Sequence, residues 1–312
     1  MEPWVYILVL NYKNWQDVTH CLASVLQLNY PRYTVFVIDN DSRNNSLEHL
    51  IEWTNQFASE KPVPFRYFTR EEFDSTSTPD LKHKVSFIQN NENQGFAAGN
   101  NVVIGKLKKE DAYIWLLNPD MVVEPDTLTE LVRFSMGHSK QSVIGATIKH
   151  QLNANKVHLY GGARINFNSA TVNLIDEKSE IGEIDFICGG SLFTHANNFE
   201  TIGLLPEEYF LYWEETDWCY RAKKQGYEML VCTSAVCYDK ISSTIGKGFL
   251  ADYYYTRNGL LFVSRYKSKK IPIVLFSAFL RLLKRLLSGN WERSKGVYSG
   301  ILTFLNRRKN AI

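Results

Sequence analysis

The chain has 312 residues, with 35 Lys+Arg against 33 Asp+Glu, so its formal net charge is only +2. Hydrophobic residues make up 45% and charged residues 22%, a globular composition that excludes a disordered or fibrous chain. The length suits one large α/β domain, or one domain with an appendage, and the small net charge gives no ground for proposing a nucleic-acid binder.

In chain order, residues 5–10 form a short apolar run suited to a strand buried on both faces. The run has six residues and no basic flank, and Asn11-Tyr-Lys-Asn14 follows at once, so it is not a signal peptide. Trp15, Val18, Leu22, Val25 and Leu26 then recur at helical spacing. Residues 33–39 (YTVFVID) read as the next strand, and Ser46 as the cap of a helix presenting Leu47, Leu50, Ile51 and Phe57. Residues 58–84 contain three prolines and a polar run at 74–80, and read as an insertion or flexible loop.

The alternation resumes with a strand at 85–89, a glycine-containing turn at 93–99 and a helix to about Lys109. A strand at 112–118 ends in Asn-Pro-Asp, Pro125 suits the first position of a helix carrying Leu128, Leu131 and Val132, and a strand at 143–148 follows. Residues 157–174, with Gly161-Gly162, read as a hairpin, and 185–193 as one strand containing Gly189-Gly190. An aromatic and acidic segment at 209–221 runs into a helix that stops at Gly226, residues 227–232 read as the last strand, and beyond 250 the chain is helical and amphipathic. Such alternation implies an α/β fold with a mostly parallel sheet flanked by helices. Ligands of such sheets bind beyond the carboxyl ends of the strands.

Five cysteines (Cys21, Cys188, Cys219, Cys232, Cys237), an odd number without a Cys-x-x-Cys pair, fit buried thiols in a reducing compartment. The longest apolar stretch, 271–287, is interrupted by Arg281, Lys284 and Arg285 and falls short of a membrane span.

Four motifs carry chemistry. Asp39 and Asp41 at a strand end can accept from a base N–H or a ribose hydroxyl; taken alone, an Asx turn with a cap for the following helix explains them more simply. The turn from Asn93 to Asn101 precedes a helix and could approach a phosphate, yet it matches neither a P-loop nor a dinucleotide fingerprint. Asp120, after Pro119, could ligate a hard cation, or merely form a turn. Glu214, Glu215 and Asp217 lie within four residues among Tyr212, Trp213 and Trp218. Like charges in a partly apolar site raise a carboxyl pKa and suit a general base, whereas helix capping by acidic residues leaves the aromatics unexplained.

The ordered set VLNY, CLASV, VIDNDS, NQGFAAGNN, LLNPD, CGGSLF, FLYWEETDWCYRAKKQG and YYYTRNGLLF resembles glycosyltransferase family 2, the inverting GT-A transferases, and especially its rhamnosyltransferase-like branch, over residues 4 to 265. The resemblance implies a GT-A catalytic domain over 1–250, with a nucleotide-binding half to about 120 and an acceptor half from 121, followed by a basic helical extension at 251–312. It implies that Asn11 and Asp39 contact the base of a nucleotide sugar, with Asp41 near the ribose. Asn93, Gly95 and Asn100 would line the diphosphate side, and Arg257 would stabilise the leaving group. Asp120 would be the surviving Asp of the metal motif, binding Mg²⁺ or Mn²⁺. Glu215 would be the base, supported by Glu214 and Asp217, with Gly190 and Trp213 at the acceptor.

Two positions depart from the family pattern. Glu215 stands where an Asp is usual, and Asp239 where a His commonly reaches the metal. By resemblance the donor is dTDP-rhamnose first and a UDP-sugar next, and the acceptor a bacterial surface glycan or lipid-linked glycan. The rival readings are a non-catalytic nucleotide-sugar-binding module and a nucleotidyltransferase; the latter would show a Gly-rich, Lys-containing loop after the first strand, where Asn11–Trp15 is not one.

The net charge conceals a segregation. Residues 239–312 carry 15 Lys+Arg and 3 Asp+Glu, a balance of +12, so the first 238 residues carry −10. The tail is either a solvated basic face or, since residues 273–287 mix apolar residues with cations, an amphipathic surface for an anionic membrane spanning 271–298. The expected location is therefore cytoplasmic and peripheral on the inner membrane face. Nucleic acid is excluded as a partner because the cations gather beside an apolar helix while the chemistry lies in the acidic half.

Overall fold

The computed structural model describes residues 2–60, 63–76, 83–240 and 248–309. It opens with β1 (Trp4–Asn11), α1 (Trp15–Val25), β2 (Tyr33–Asp39) and α2 (Ser46–Glu60), as the patterns require. Ser46 is the first residue of α2, and its hydroxyl donates to Asn44 Oδ1 at 2.5 Å instead of capping the helix. Next come β3 (Phe65–Thr69) and α3 (Arg70–Ser75), inside the stretch expected to be a loop. Phe68 and Phe73 are buried there, and Thr69 and Glu72 form a reciprocal capping box. The strand escapes a periodicity search because it is short, lies at the sheet edge and exposes Arg66 and Tyr67. Residues 77–82 of that stretch lie outside the described residues.

The chain continues with β4 (Val85–Gln89), α4 (Gly95–Leu107), β5 (Ala112–Leu117), β6 (Met121–Val123), α5 (Thr127–Met136), β7 (Ser142–His150), β8 (Asn153–Tyr160), β9 (Gly162–Asn166) and β10 (Thr171–Leu174). Residues 95–99 thus form the first turn of α4, and Pro125 precedes α5 by two residues, without entering it. After these come β11 (Phe186–Ile187), β12 (Ser191–His195), α6 (Asn197–Ile202), α7 (Glu214–Lys224) and β13 (Glu228–Asp239). Three helices close the chain: α8 (Phe249–Tyr266), α9 (Ile271–Leu287) and α10 (Trp291–Lys309).

The ten-stranded sheet runs β3-β4-β2-β1-β5-β12-β7-β13-β6, with β8 joined to β7. β3, β4, β2, β1 and β5 are parallel, as are β7 and β13. β12 enters antiparallel between β5 and β7. Alternate residues of β1 feed two cores, which explains its unbroken apolar run. Val5, Ile7 and Val9 pack with α1, α2 and α5, whereas Tyr6, Leu8 and Leu10 pack with α4, α7 and α8.

One β reading holds and another is corrected. The hairpin expected within 157–174 is formed by β9 and β10, which turn through 167–170, while β8 pairs with β7. A Cβ on Gly161 would meet Gly145 Cα at 2.9 Å, so glycine there permits a backbone crossing between sheets. The strand expected at 185–193 is split at 188–190, where β11 belongs to a small sheet of order β10-β9-β11 and β12 to the large one. The last strand also runs on to Asp239, past the irregularity between Cys232 and Val236.

Candidate active site

The parallel strands end along one edge, and their last residues begin the site. Asn11 and Asp39 are paired across β1 and β2, and both are buried. Asn11 Nδ2 donates to Asp39 Oδ1 at 2.7 Å, and the Ser42 hydroxyl to the same oxygen at 2.5 Å. The Ser42 amide and Gln89 Nε2 each donate to Asp39 Oδ2 at 3.0 Å. Asp41 follows at φ 57° and is paired with exposed Arg43 at 2.8 Å.

A second amide cluster lies alongside. Asn40 Nδ2 donates to Asn93 Oδ1 at 2.8 Å, and the Gly95 amide to that oxygen at 3.0 Å. Asn90 Nδ2 donates to Asn40 Oδ1 at 3.1 Å. Ser42, Gln89, Asn40 and Asn90 were not singled out from the sequence. The only signal for them is position, at or just past a strand's carboxyl end.

The middle of the cleft is built by β12 running against β5. The Asn118 amide donates to the Gly190 carbonyl at 3.0 Å, and a Cβ on Gly190 would meet Met121 Cε at 2.8 Å. Asp120 is buried in the turn between β5 and β6. Asp239 is registered opposite Met121 and therefore lies beside that turn. The two carboxylates supply hard oxygen donors, and Mg²⁺ commonly uses one or two of these together with substrate phosphates. Among the described residues no group of three or more His, Cys, Asp or Glu could hold a metal on its own, and two carboxylates would leave most of a hard cation's coordination to other oxygen donors. Residues 241–244, which belong to the same motif as Asp239, lie outside the described residues.

The carboxylates at the start of α7 differ sharply from one another. A Cβ on Gly189 would lie 3.6 Å from the Glu215 carboxyl group, which faces the break between β11 and β12. Glu215 is half-buried, and its pKa is raised by burial, against the opposing pull of backbone amides including that of Gly189. Glu214 is 3% exposed, and its Oε2 has no hydrogen-bond partner among the described residues. Burial first, and the neighbouring Glu215 charge second, push its pKa well up, which favours its neutral form. Asp217 is fully engaged. Its oxygens accept from Tyr209 Oη at 2.7 Å, Tyr266 Oη at 3.0 Å, Arg221 Nε at 3.1 Å and Arg265 Nη1 at 2.9 Å. It is fully buried and anchors the helix.

Three expected contact residues take internal roles. Arg257 was expected at the diphosphate, but its Nη2 donates to the carbonyls of Glu208 and Tyr209, at 2.7 and 3.0 Å. Asn100 is turned into its own helix, donating to the Phe96 carbonyl at 3.0 Å. Trp213 is buried against Tyr255 and Phe262, 5.9 and 5.1 Å between ring centroids, and does not line the acceptor side. In each case the side chain supports the loop or helix that carries the site. The cysteines are all free, and burial raises the pKa of Cys21, Cys188, Cys219 and Cys237.

A mostly parallel sheet with amide and carboxylate side chains at and beyond its strand ends is the frame of an α/β ligand-binding site. The model of the family described as glycosyl transferase family 2 matches residues 5–202. A relative, the low-salt glycan biosynthesis hexosyltransferase Agl10 of Haloferax volcanii, is 24% identical over 229 residues, covering 69% of this chain and 72% of its own. The solved structure of the mannosyltransferase PcManGT from Pyrobaculum calidifontis, in complex with GDP-Man and Mn2+, overlaps with a TM-score of 0.58 at 12% identity, over 98% of this chain and 88% of that one. S. aureus TarS 1-349 in complex with UDP-GlcNAc overlaps with a TM-score of 0.52 at 15% identity, over 87% of this chain and 70% of that one. At such identities the two structures speak for a shared GT-A fold. The chain belongs to glycosyl transferase family 2, and it is a glycosyltransferase that draws on a nucleotide-sugar donor.

Proposed function

We propose that the protein is an inverting transferase that moves a hexose from a nucleoside-diphosphate sugar to a hydroxyl of a glycan or lipid-linked glycan. dTDP-rhamnose is the first donor by resemblance, and a UDP-sugar the next. The observation that carries this reading is the start of α7, where the half-buried Glu215 carboxyl group faces Gly189 at the break between β11 and β12 and Glu214 is buried beside it. The residues to about 120 serve the donor and those from 121 to 250 the acceptor. Asn11 and Asp39 face the base, Asp41 the ribose, Asn93 and Gly95 the diphosphate, and Gly190 the acceptor.

In the reaction the acceptor oxygen attacks the anomeric carbon as the bond to the diphosphate oxygen breaks on the opposite side. Glu215 takes the hydroxyl proton, a contribution of about 10²–10⁴-fold, and Glu214 keeps that carboxylate desolvated. One displacement inverts the anomeric centre and releases nucleoside diphosphate. Asp120 and Asp239 would hold Mg²⁺ or Mn²⁺, which when bound neutralises charge on the diphosphate.

Incubation with UDP-, dTDP- and GDP-sugars and Mn²⁺ tests the reading by release of nucleoside diphosphate. Release that depends on an acceptor supports it. Binding without release would make the chain a binding module, and pyrophosphate release from a nucleoside triphosphate would make it a nucleotidyltransferase.

A place at a membrane surface is suggested by α9. Among the described residues no helix is long and apolar enough to cross a membrane. Yet Ile273, Phe276, Leu280, Leu283 and Leu287 are exposed along one seam of α9, with Leu287 at 88% and Trp291 beyond it at 67%. Exposed Lys269 and Lys284 accompany them. Such a face suits an anionic bilayer surface, and with free cysteines it argues for the cytoplasmic side of the cell membrane. Phe276→Ser combined with Leu280→Ser should abolish pelleting with phosphatidylglycerol vesicles; unchanged pelleting would refute the membrane reading.

A further inference from the structure

The segment leading into the paired glutamates follows a backbone course that side chains resist. Phe210, Tyr212 and Trp213 have φ of 65°, 64° and 78°. Each such residue costs of order 1–3 kcal/mol and persists only where the surroundings over-determine it. Trp213 leads directly into Glu214, so whatever holds this segment also aims the two carboxylates.

Two sets of contacts hold it from opposite sides. On the donor side, the Phe96 amide donates to the Phe210 carbonyl at 2.8 Å. Gly95, at φ +91°, packs so closely that a Cβ would fall 2.1 Å from that carbonyl oxygen. From behind, Asn258 of α8 is fully buried. Its Nδ2 donates to the carbonyls of Tyr209, Leu211 and Tyr212 at 2.8, 2.7 and 2.9 Å. An amide nitrogen has two hydrogens, so one of them is shared between two carbonyls. Arg257 orients the amide, donating from Nε to Asn258 Oδ1 at 2.8 Å while its Nη2 binds the Glu208 and Tyr209 carbonyls. Gly259 completes the fit, because a Cβ there would lie 3.1 Å from Trp213 Cζ2.

We propose that Asn258 is a positioning residue for this active site: it fastens the left-handed segment 209–213 to α8 and so sets the aim of Glu214 and Glu215. Asparagine is suited to this because it brings two N–H donors to three carbonyl oxygens from a short, fully buried side chain. Aspartate keeps the shape and would turn a carboxylate toward the same three oxygens. The kinetic part of the test rests on Glu215 as the base; the structural part does not.

Asn258→Asp is measured against the wild-type chain by kcat, donor KM and hydrogen exchange followed by mass spectrometry. Misaiming the reacting groups should lower kcat by about 100-fold, with donor KM changed by less than about threefold. Amides of residues 207–217 should exchange faster while those of the strands at 4–11 and 33–39 keep their protection. A kcat near wild type would overturn the proposal, as would faster exchange throughout the chain with kcat and KM falling together. If Asn258→Asp does not fold, Arg257→Gln replaces it, and about a tenfold lower kcat with the same local exchange pattern is expected; wild-type kcat and exchange in that variant would overturn the proposal. Should the wild-type chain turn over no nucleotide sugar, the reading of Glu215 fails, and the exchange result still decides whether Asn258 fastens the segment.

Discussion

The two walls of the cleft are built on opposite principles. On the donor wall the buried polar side chains bond one another: both oxygens of Asp39 accept two hydrogen bonds each, and Asn40 bonds both Asn90 and Asn93. On the catalytic wall one Glu214 oxygen is buried without a hydrogen bond among the described residues, and both glutamates have raised pKa values. The first arrangement is rigid and suits recognition. The second stores unfavourable energy in front of the reacting atoms, as expected where a carboxylate must take up a proton near neutral pH.

Substitutions on each wall test that contrast. Glu215→Gln should have the largest effect, cutting turnover by about 10²–10⁴-fold with nucleotide affinity retained by calorimetry. Loss of nucleotide binding in that variant would merge the two walls into one. Asp217→Asn removes the buried charge that pairs with the partly exposed Arg221 and Arg265. Denaturant unfolding should show a loss of about 1.5–3 kcal/mol, the scale of hydrogen bonds to a charged group. Asp39→Asn should weaken donor binding by about 1.5–3 kcal/mol and leave the single-turnover rate of bound donor nearly unchanged.

The smallest effect should come from Glu214→Gln. Burial and the Glu215 charge hold Glu214 toward its neutral form, so a neutral isostere should cost less than about tenfold in turnover. A loss as large as that of Glu215→Gln would transfer the base role to Glu214. The pH profile sharpens the same point. A base with a raised pKa stays protonated, and idle, further up the pH scale, so activity should fall with acidification at a pH above the ordinary Glu value of about 4.3. An acid limb at or below that value would mean that burial does not tune the base.

Much of this was legible along the chain because neighbours in sequence carry it. The buried runs of β1, β2 and β4 declared themselves by length and composition, since a strand covered on both faces needs no alternation. The acidic cluster at 214–217 stood out because its carboxylates share one helical turn. Other features were illegible for a physical reason. Arg257 looks like a phosphate-binding cation until its guanidinium is seen spent on the Glu208 and Tyr209 carbonyls. Trp213 looks like a sugar platform until it is found buried under Phe262. Gln89 and Ser42 gave no sign at all, because nothing local reveals that they converge on Asp39 from 50 and 3 residues away.

The sequence by itself determined the α/β class, the polar strand ends and the acidic turn that opens α7. These follow from periodicity and short-range chemistry. The tertiary structure alone decided how the three carboxylates divide their work, since four donors, from Tyr209, Arg221, Arg265 and Tyr266, occupy Asp217 and leave Glu214 and Glu215 to the cleft. It also decided the role of Asn258, because a side chain's hydrogen-bond partners some 46 to 49 residues away depend on how the helices pack and not on any local pattern.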